Sequence, residues 1–134
     1  MVDEKYVSVE IAFLLKNKGF VNPCFSYYEW FKSGVSMYQG WVPEYSDCQT
    51  NHNKQGDNNK CSRPTHQMAI AWLREHEIYI EIDIYGKENI KFSFNIIKKG
   101  EGKIYPKLNE EQIFYDKPEK AEDEALKYAL ENLI

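Results

Sequence analysis

The sequence predicts an α+β fold in which three helices pack on an antiparallel sheet. Two segments, 78–85 and 90–96, alternate apolar and polar residues with the period of two that half-buried strands show. Three other segments place apolar residues at helical spacing between capping residues. The element order is α-β-β-α-β-β-(β)-α, and 134 residues suit a single domain over 1–134.

The first helix is predicted from "SVEIAFLLKNKGF". Ser8 is a suitable N-cap, because its hydroxyl can accept a hydrogen bond from a free amide of the first turn. Gly19 suits the left-handed residue that ends a helix, and Phe20 should then fold back onto Leu15.

An aromatic hairpin is predicted next, from "FSYYEWF" and "VSMYQGWV" on either side of Lys32-Ser33-Gly34. Neighbouring strand residues point to opposite faces, so both faces of this hairpin carry rings. One face can enter the core, and the other meets solvent, a partner, or a covering loop or helix. Because Tyr and Trp are favoured at interfaces, the candidate binding residues are Tyr27, Tyr28, Trp30, Tyr38, Trp41 and Tyr45.

The segment from about 43 to 63 is polar and is predicted to be a flexible loop, exposed and mobile over 47–61. Its Cys and His residues follow the pattern C-x3-H-x8-C-x4-H, and tetrahedral zinc needs four such ligands. Their order differs from the common Cys-pair and His-pair zinc sites, so we expect no metal, no cofactor and no disulfide. A bound metal would implicate Cys48, His52, Cys61 and His66. We expect His66 instead to face solvent.

The second helix, "HQMAIAWLREHE", follows Thr65 as its cap, and its apolar stretch predicts a buried helix. The strands after it should form a hairpin with Ile84 opposite Ile90 and Ile82 opposite Phe92. Phe94 then opposes Ile80 and faces the core, while Ser93 and Asn95 face outward. Asp83 would pair with Lys91 across the strands.

The C-terminal part is predicted to contain a loop over 100–109, an edge strand in "EQIFYD" and a final helix. Asp116 and Glu119 have capping-box spacing, with Pro118 in the first turn. The helix presents Ala121, Ala125, Tyr128 and Leu133 at helical spacing.

Several of these segments together resemble small uncharacterised proteins of Bacteroides phages and prophages. The resemblance rests on "SVEIAFLLKNKGF", Cys24 with Tyr27-Tyr28, "RPTHQMAIAWLREHEIYIEI" and "EDEALKYALENLI". It spans nearly the whole chain, which departs from the pattern in its insert at 47–61 and in His66. The resemblance implies a mobile-element origin, and it implies no activity.

The net charge and the apolar segments of the chain disfavour two classes of function, nucleic-acid binding and membrane insertion. A net charge of −4 disfavours binding to nucleic acid through bulk electrostatics. The longest apolar run near the N-terminus, Ile11 to Leu15, is too short for a signal sequence or a membrane span, so we expect no membrane partner and a cytoplasmic protein of the bacterial host. The cysteines are then expected to be reduced.

No phosphate-binding loop, Ser-His-Asp arrangement or His-Glu-x-x-His motif is present in the sequence. Cys24 with His66 or His76 as its base would be a nucleophile pair, but a buried structural thiol explains Cys24 more simply. We therefore expect a non-enzymatic phage or prophage protein that binds another protein, with a host factor as a candidate. The alternatives are a small-molecule or nucleotide binder that uses a pocket between the aromatic hairpin and the second helix, and a single-strand nucleic-acid binder that uses the hairpin tyrosines with Lys98, Lys99 and Lys103.

Overall fold

The structure, a computed structural model, describes residues 5–33, 38–54 and 59–134, and within this part the side chains of 31–41 are not described. The chain divides into two compact units, unit 1 (Met1–Thr65) and unit 2 (His66–Ile134). Over the described ranges, three helices and two three-stranded antiparallel sheets make an α+β fold, with the predicted element order. We predicted one antiparallel sheet, whereas the strands form two separate sheets. That the whole of 1–134 is one domain stays a prediction.

Unit 1 contains α1 (Val9–Asn17), β1 (Cys24–Ser33), β2 (Tyr38–Thr50) and β3 (Lys60–Ser62). The sheet order is β2-β1-β3, and β1 pairs antiparallel with both neighbours. The predicted aromatic hairpin is therefore present as β1 and β2. The core of unit 1 consists of apolar side chains from α1, from the segments on either side of α1, and from β1 and β3. These side chains are Val7, Ile11, Ala12, Leu15, Phe20, Cys24 and Cys61.

The ends of α1 are those that the sequence predicts. The Ser8 hydroxyl accepts a hydrogen bond from the Ile11 amide at 3.3 Å. At the other end, Gly19 has φ +90° and donates to the Lys16 carbonyl, while the Phe20 amide donates to the Leu15 carbonyl at 3.0 Å. This pair of hydrogen bonds is the Schellman arrangement, which requires a residue with positive φ at its centre.

The predicted loop over 43–63 is wrong for residues 43–50 and 60–62, which form strands, whereas residues 51–54 belong to no helix or strand. Strand β2 continues to Thr50, which pairs with Cys24, and residues 60–62 form β3. Strand pairing provides hydrogen bonds to backbone N–H and C=O groups whatever the side chains are. A polar segment can therefore form an edge strand where a neighbouring strand has backbone groups free to pair with it. Residues 55–58, where the mobile loop was also expected, lie outside the described part.

Unit 2 contains α2 (His66–Glu75), β4 (Ile78–Tyr85), β5 (Lys91–Lys98), β6 (Gly102–Tyr105) and α3 (Pro118–Asn132). The sheet order is β4-β5-β6. Helix α2 buries one side only, with Ala69, Trp72 and Leu73 inside and Ala71 exposed. The prediction that it is buried nearly all round is therefore wrong.

The hairpin of β4 and β5 has the predicted faces but not the predicted register. Ile84 opposes Phe92, Ile82 opposes Phe94 and Ile80 opposes Ile96. The turn begins at Gly86, whose φ of +109° suits a tight reversal, and this moves the pairing by two residues. Asp83 consequently faces Ser93 rather than Lys91, and Lys91 pairs with Asp116.

Burial along β5 agrees with the prediction for Phe94, which is 3% exposed. Ser93 and Asn95 were expected to face outward, yet they are 2% and 6% exposed. They lie on the middle strand of the sheet, where the longer Glu81 and Asp83 of β4 cover them, and the Asn95 amide donates to both carboxylates. Ile84, expected inward, is 68% exposed because it lies near the end of β4.

The last part of unit 2 corrects two predictions. Strand β6 occupies the segment expected to be a loop, and "EQIFYD" contributes only one bridge, between Phe92 and Tyr115. Lys117 rather than Asp116 is the N-cap of α3, and it makes no side-chain cap because the lysine ammonium has no acceptor. The Asp116 carboxylate contacts Lys91 instead. Pro118 occupies the first turn as predicted. The helix packs on β5 through Ala121, Ala125, Leu126, Ala129 and Leu130.

Candidate functional site

The predicted binding residues divide between the two faces of the unit 1 sheet. Residues directly opposite on antiparallel strands share a face, so the pairs Ser26 with Tyr45 and Tyr28 with Pro43 lie on one side, and Trp30 lies on the same side of β1. Tyr27, which neighbours Tyr28 on β1, points to the other side. Tyr38 lies in β2, and its side chain, like that of Trp41, is outside the described part.

On the first face, Tyr28 and Tyr45 join Tyr6 around the guanidinium of Arg63, and we call these four residues the arginine cage. The Arg63 Cζ lies 4.1 Å from the Tyr6 ring centre, 5.0 Å from that of Tyr45 and 5.5 Å from that of Tyr28. Its Nε donates to the Ser26 hydroxyl at 2.5 Å, and its Nη2 donates to the Tyr45 hydroxyl at 2.5 Å. The cage thus links β1, β2 and the chain after β3.

On the second face, Tyr27 stacks on His52 with ring centres 4.4 Å apart. The His52 amide donates to the Ser62 hydroxyl at 3.1 Å, and its Nε2 lies 3.0 Å from the Cys24 carbonyl oxygen. Lys60 places its ammonium 5.2 Å from the Tyr27 ring centre. His52 therefore covers the ring of Tyr27, which agrees with the covering-loop alternative for this residue.

The four residues of the zinc pattern have different surroundings. Cys48 is exposed, whereas Cys61 and His52 are buried in unit 1. Within the described ranges, no group of three or more His, Cys, Asp and Glu side chains is placed to hold a metal ion. That the chain binds no metal stays a prediction.

The buried thiols are poor nucleophiles at neutral pH. Burial raises the pKa of Cys24 to about 11, against a small opposing effect of the Ser62 side chain. Burial likewise raises the pKa of Cys61 to about 11, although the Lys16 charge and a backbone hydrogen bond at Tyr28 oppose it. Because the thiolate is the reactive form, this chemistry suits structural rather than reactive cysteines.

We expected His66 to face solvent, and this prediction is wrong. The side chain is buried in unit 2, with 4% exposure. Its Nε2 lies 2.8 Å from Asp123 Oδ1, and its Nδ1 lies 2.8 Å from Glu122 Oε2. The second contact is an ion pair without hydrogen-bond alignment. Burial lowers the pKa of His66, but the Asp123 and Glu122 carboxylates outweigh it and raise the pKa to about 9. His66 thus joins the start of α2 to α3 as a cation.

A cavity that the sequence did not reveal lies in unit 2, beside α3 and the edge of the sheet, and we call it the tyrosine pocket. It has a volume of about 230 Å³ and is open to solvent. Its lining comes from β5, β6, the segment before α3 and the second half of α3, and consists of Phe94, Tyr105, Ile113, Tyr115, Glu124, Lys127, Tyr128, Glu131 and Asn132.

Aromatic rings form the walls of the tyrosine pocket. Phe94 lies between Tyr105, at 4.6 Å and 9° between ring planes, and Tyr115, at 6.3 Å and 19°. Tyr128 of α3 packs on Tyr105 with ring centres 4.6 Å apart. The hydroxyls of these three tyrosines make no hydrogen bond within the described part of the chain.

Nearby carboxylates act on two tyrosines of the tyrosine pocket. The pKa of Tyr105 is raised by burial and then by Glu110, Tyr128 and Glu124, because a phenolate would be repelled there. The pKa of Tyr115 is raised by burial, by Glu124 and by Tyr105. The lining carries two carboxylates, Glu124 and Glu131, and one ammonium, that of Lys127. Glu124 also pairs with Lys120 of the same helix at 3.0 Å. Such a site favours a positively charged group over an anion.

The pocket was missed because its tyrosines belong to three separate elements with no common spacing. Tyr115 was expected in an edge strand, and Tyr128 on the inward face of α3. The only available signal was the density of tyrosine after residue 100.

No helix in the described ranges has the length and apolar character needed to cross a membrane. Comparison with known proteins gives no relative: no family model matches the chain, and no match is found among the curated proteins or among the solved structures.

Proposed function

We propose that the chain is a non-enzymatic accessory protein of a phage or prophage that binds a partner protein, with a host factor as the candidate, in the cytoplasm of the bacterial host. Its tyrosine pocket would accept a basic side chain of that partner, lysine or arginine. The observation that carries the proposal is the aromatic lining of the pocket together with Glu124 and Glu131.

The chemistry of the lining supports a cationic guest. The faces of aromatic rings attract ammonium and guanidinium groups, by about 0.5–2 kcal/mol per contact. The carboxylates of Glu124 and Glu131 add charge attraction, and the tyrosine hydroxyls without partners can accept hydrogen bonds from the guest. A lysine or arginine side chain also brings an apolar stem that can lie against Phe94 and Ile113.

The size of the pocket supports a side chain rather than a free metabolite. Its volume of about 230 Å³ is smaller than the roughly 300–1,000 Å³ of most enclosed small-molecule sites. An open pocket of this size suits a group that protrudes from a larger surface. This weighs against the small-molecule and nucleotide alternative.

Local ion pairs weigh against the nucleic-acid alternative. Lys98 pairs with Glu101 at 3.3 Å, and Lys99 pairs with Glu77 at 3.3 Å. These surface pairs contribute little stability, but each places a negative charge beside a lysine that was expected to follow phosphates.

The direct test is an NMR titration of the ¹⁵N-labelled chain with blocked single residues. The probes are N-acetyl-lysine methylamide, N-acetyl-arginine methylamide and the neutral analogue N-acetyl-norleucine methylamide. We expect the two basic probes, at millimolar concentrations, to cause saturable chemical-shift changes at amides around Tyr105, Tyr115 and Tyr128. The neutral probe should cause smaller changes at the same amides. Equal responses to all three probes, or shifts spread over the chain, would contradict the proposal.

Two charge variants sharpen that test. Glu124→Gln should weaken binding of the basic probes about 3- to 10-fold, as the loss of one nearby charge predicts. Glu88→Gln, which removes an exposed charge from the β4–β5 turn, should leave the titration unchanged. In pull-downs from the host, a true partner should be lost with Glu124→Lys and retained with Glu88→Lys.

A further inference from the structure

Arg63 carries a buried positive charge, and its partners in the described part of the chain are uncharged. The residue is 8% exposed, and no Asp or Glu in the described ranges lies within ion-pair distance of its guanidinium. Its neighbours are neutral: the Ser26 and Tyr45 hydroxyls and three tyrosine rings. A buried charge is costly when it is not paired, and ring faces and hydroxyls compensate it only in part.

The arginine cage retains hydrogen-bond donors for a further group. Nε and Nη2 of Arg63 are engaged, whereas Nη1 has no acceptor in the described part of the chain and is not among its fully buried unpaired atoms. The Tyr45 hydroxyl accepts from Nη2, so its own proton is available to a second acceptor. Tyr45 is 64% exposed, and a group in solution can therefore reach its ring.

We propose that Arg63 and Tyr45 form a binding site for a small oxyanion, the carboxylate or phosphate group of a ligand. Nη1 of Arg63 would donate one hydrogen bond to the oxyanion, and the Tyr45 hydroxyl would donate the other. The oxyanion would supply the negative charge that the cage lacks, which makes both hydrogen bonds charge-assisted. Tyr6 and Tyr28 hold the guanidinium from its other sides, so the donors are positioned before the anion arrives.

This site is independent of the tyrosine pocket, because it lies in unit 1 and takes the opposite charge. A negative result in the titration with basic probes would therefore not contradict the oxyanion site, and a negative result in the titration with anions would not contradict the tyrosine pocket.

The experiment uses the two arginines of the chain as probe and control. Arg74, at the end of α2, is exposed, whereas Arg63 is caged, so their side-chain Nε–H signals report on two different environments. The ¹⁵N-labelled full chain is titrated with sodium phosphate, sodium acetate and, at matched ionic strength, sodium chloride. We expect a saturable shift of the Arg63 Nε–H signal and of the Tyr45 amide with phosphate, acetate or both. A preference between the two salts identifies the source of the oxyanion.

Tyr45→Phe removes one donor and keeps the ring. It should weaken oxyanion binding about tenfold or more, because a hydrogen bond to a charged group is lost. Tyr79→Phe, which changes another exposed tyrosine, in unit 2, should bind as the wild type does. Equal shifts of Arg63 and Arg74, an equal response to chloride, or unchanged affinity in Tyr45→Phe would overturn the proposal.

Discussion

The arginine cage and the tyrosine pocket each gather three tyrosines, and the difference between them lies in what the rings surround. In unit 1, the rings of Tyr6, Tyr28 and Tyr45 surround the guanidinium of Arg63. In unit 2, the rings of Tyr105, Tyr115 and Tyr128 line an open cavity beside Glu124 and Glu131. The cage shows how this chain holds a cation among tyrosines. The pocket offers the same ring surfaces with negative charge added, and this supports a cation supplied from outside.

The largest expected effect concerns the floor of the tyrosine pocket. Phe94→Ala should destabilise unit 2 by about 3–5 kcal/mol, since Phe94 is 3% exposed and its removal leaves a cavity. Urea melts would measure the change. Ile113→Ala, which trims an exposed side chain of the same pocket, should cost far less. A loss below about 1 kcal/mol for Phe94→Ala would show that the pocket is not part of the core.

Removal of the caged cation should have the next largest effect. Arg63→Ala should destabilise the chain by about 2–4 kcal/mol, because it empties the cage and removes the donors to Ser26 and Tyr45. Arg74→Ala, at an exposed position, should change stability by less than about 0.5 kcal/mol. Thermal and urea melts of the two variants would compare them. Similar losses in both would mean that the cage adds nothing specific.

A third prediction concerns the other buried cation, His66. Its pKa of about 9 in the folded chain lies above the ordinary value of 6.5, so the folded state binds the proton more tightly than the unfolded state. The stabilisation, on the order of 2–3 kcal/mol, is fully present below pH 6.5 and is lost as the pH rises through about 9.

Urea melts between pH 6 and 10 should show this decline for the wild type and for His76→Gln, an exposed histidine. His66→Gln should be less stable at pH 6 and should have a flatter profile. A wild-type profile that rises over this range would refute the ion-pair account of His66.

The smallest effect compares single hydroxyls in the two clusters. The Tyr28 hydroxyl donates to the Val7 carbonyl at 2.7 Å, so Tyr28→Phe should cost about 1–2 kcal/mol. Tyr128→Phe removes a hydroxyl of the pocket that has no partner in the described ranges, and should change stability by less than about 0.5 kcal/mol. Thermal melts resolve this difference. A large loss in Tyr128→Phe would reveal a hydrogen bond that closes the pocket.

Local signals in the sequence predicted local structure well. The Ser8 cap and the Gly19 end of α1 depend on contacts within a few residues, and both were predicted correctly. The alternation in β4 and β5 identified the buried Phe94, because it reflects which face of a strand is covered. The fold class followed from these periods.

Features set by distant contacts could not be read in this way. His66 looked like a surface residue because its partners, Glu122 and Asp123, lie on another helix. Strand β3 was missed because Cys61 and its neighbours are polar or small, and only the ladder of β1 makes them a strand. Of the predicted binding residues, Tyr28 and Tyr45 belong to the cage, but its centre, Arg63, carried no sequence signal. The tyrosine pocket joins residues from β5, β6 and α3, which only the tertiary fold brings together.

Of the three free thiols, Cys48 alone is exposed, while Cys24 and Cys61 are buried with raised pKa values. A maleimide dye should therefore modify the native chain at one position and reach the other two cysteines only after unfolding. Cys48 lies three residues after Tyr45 on β2. A dye there would label β2 without an engineered attachment site. The same exposed thiol is able to form a disulfide with a second copy of the chain under oxidising conditions, which a reductant in the storage buffer prevents.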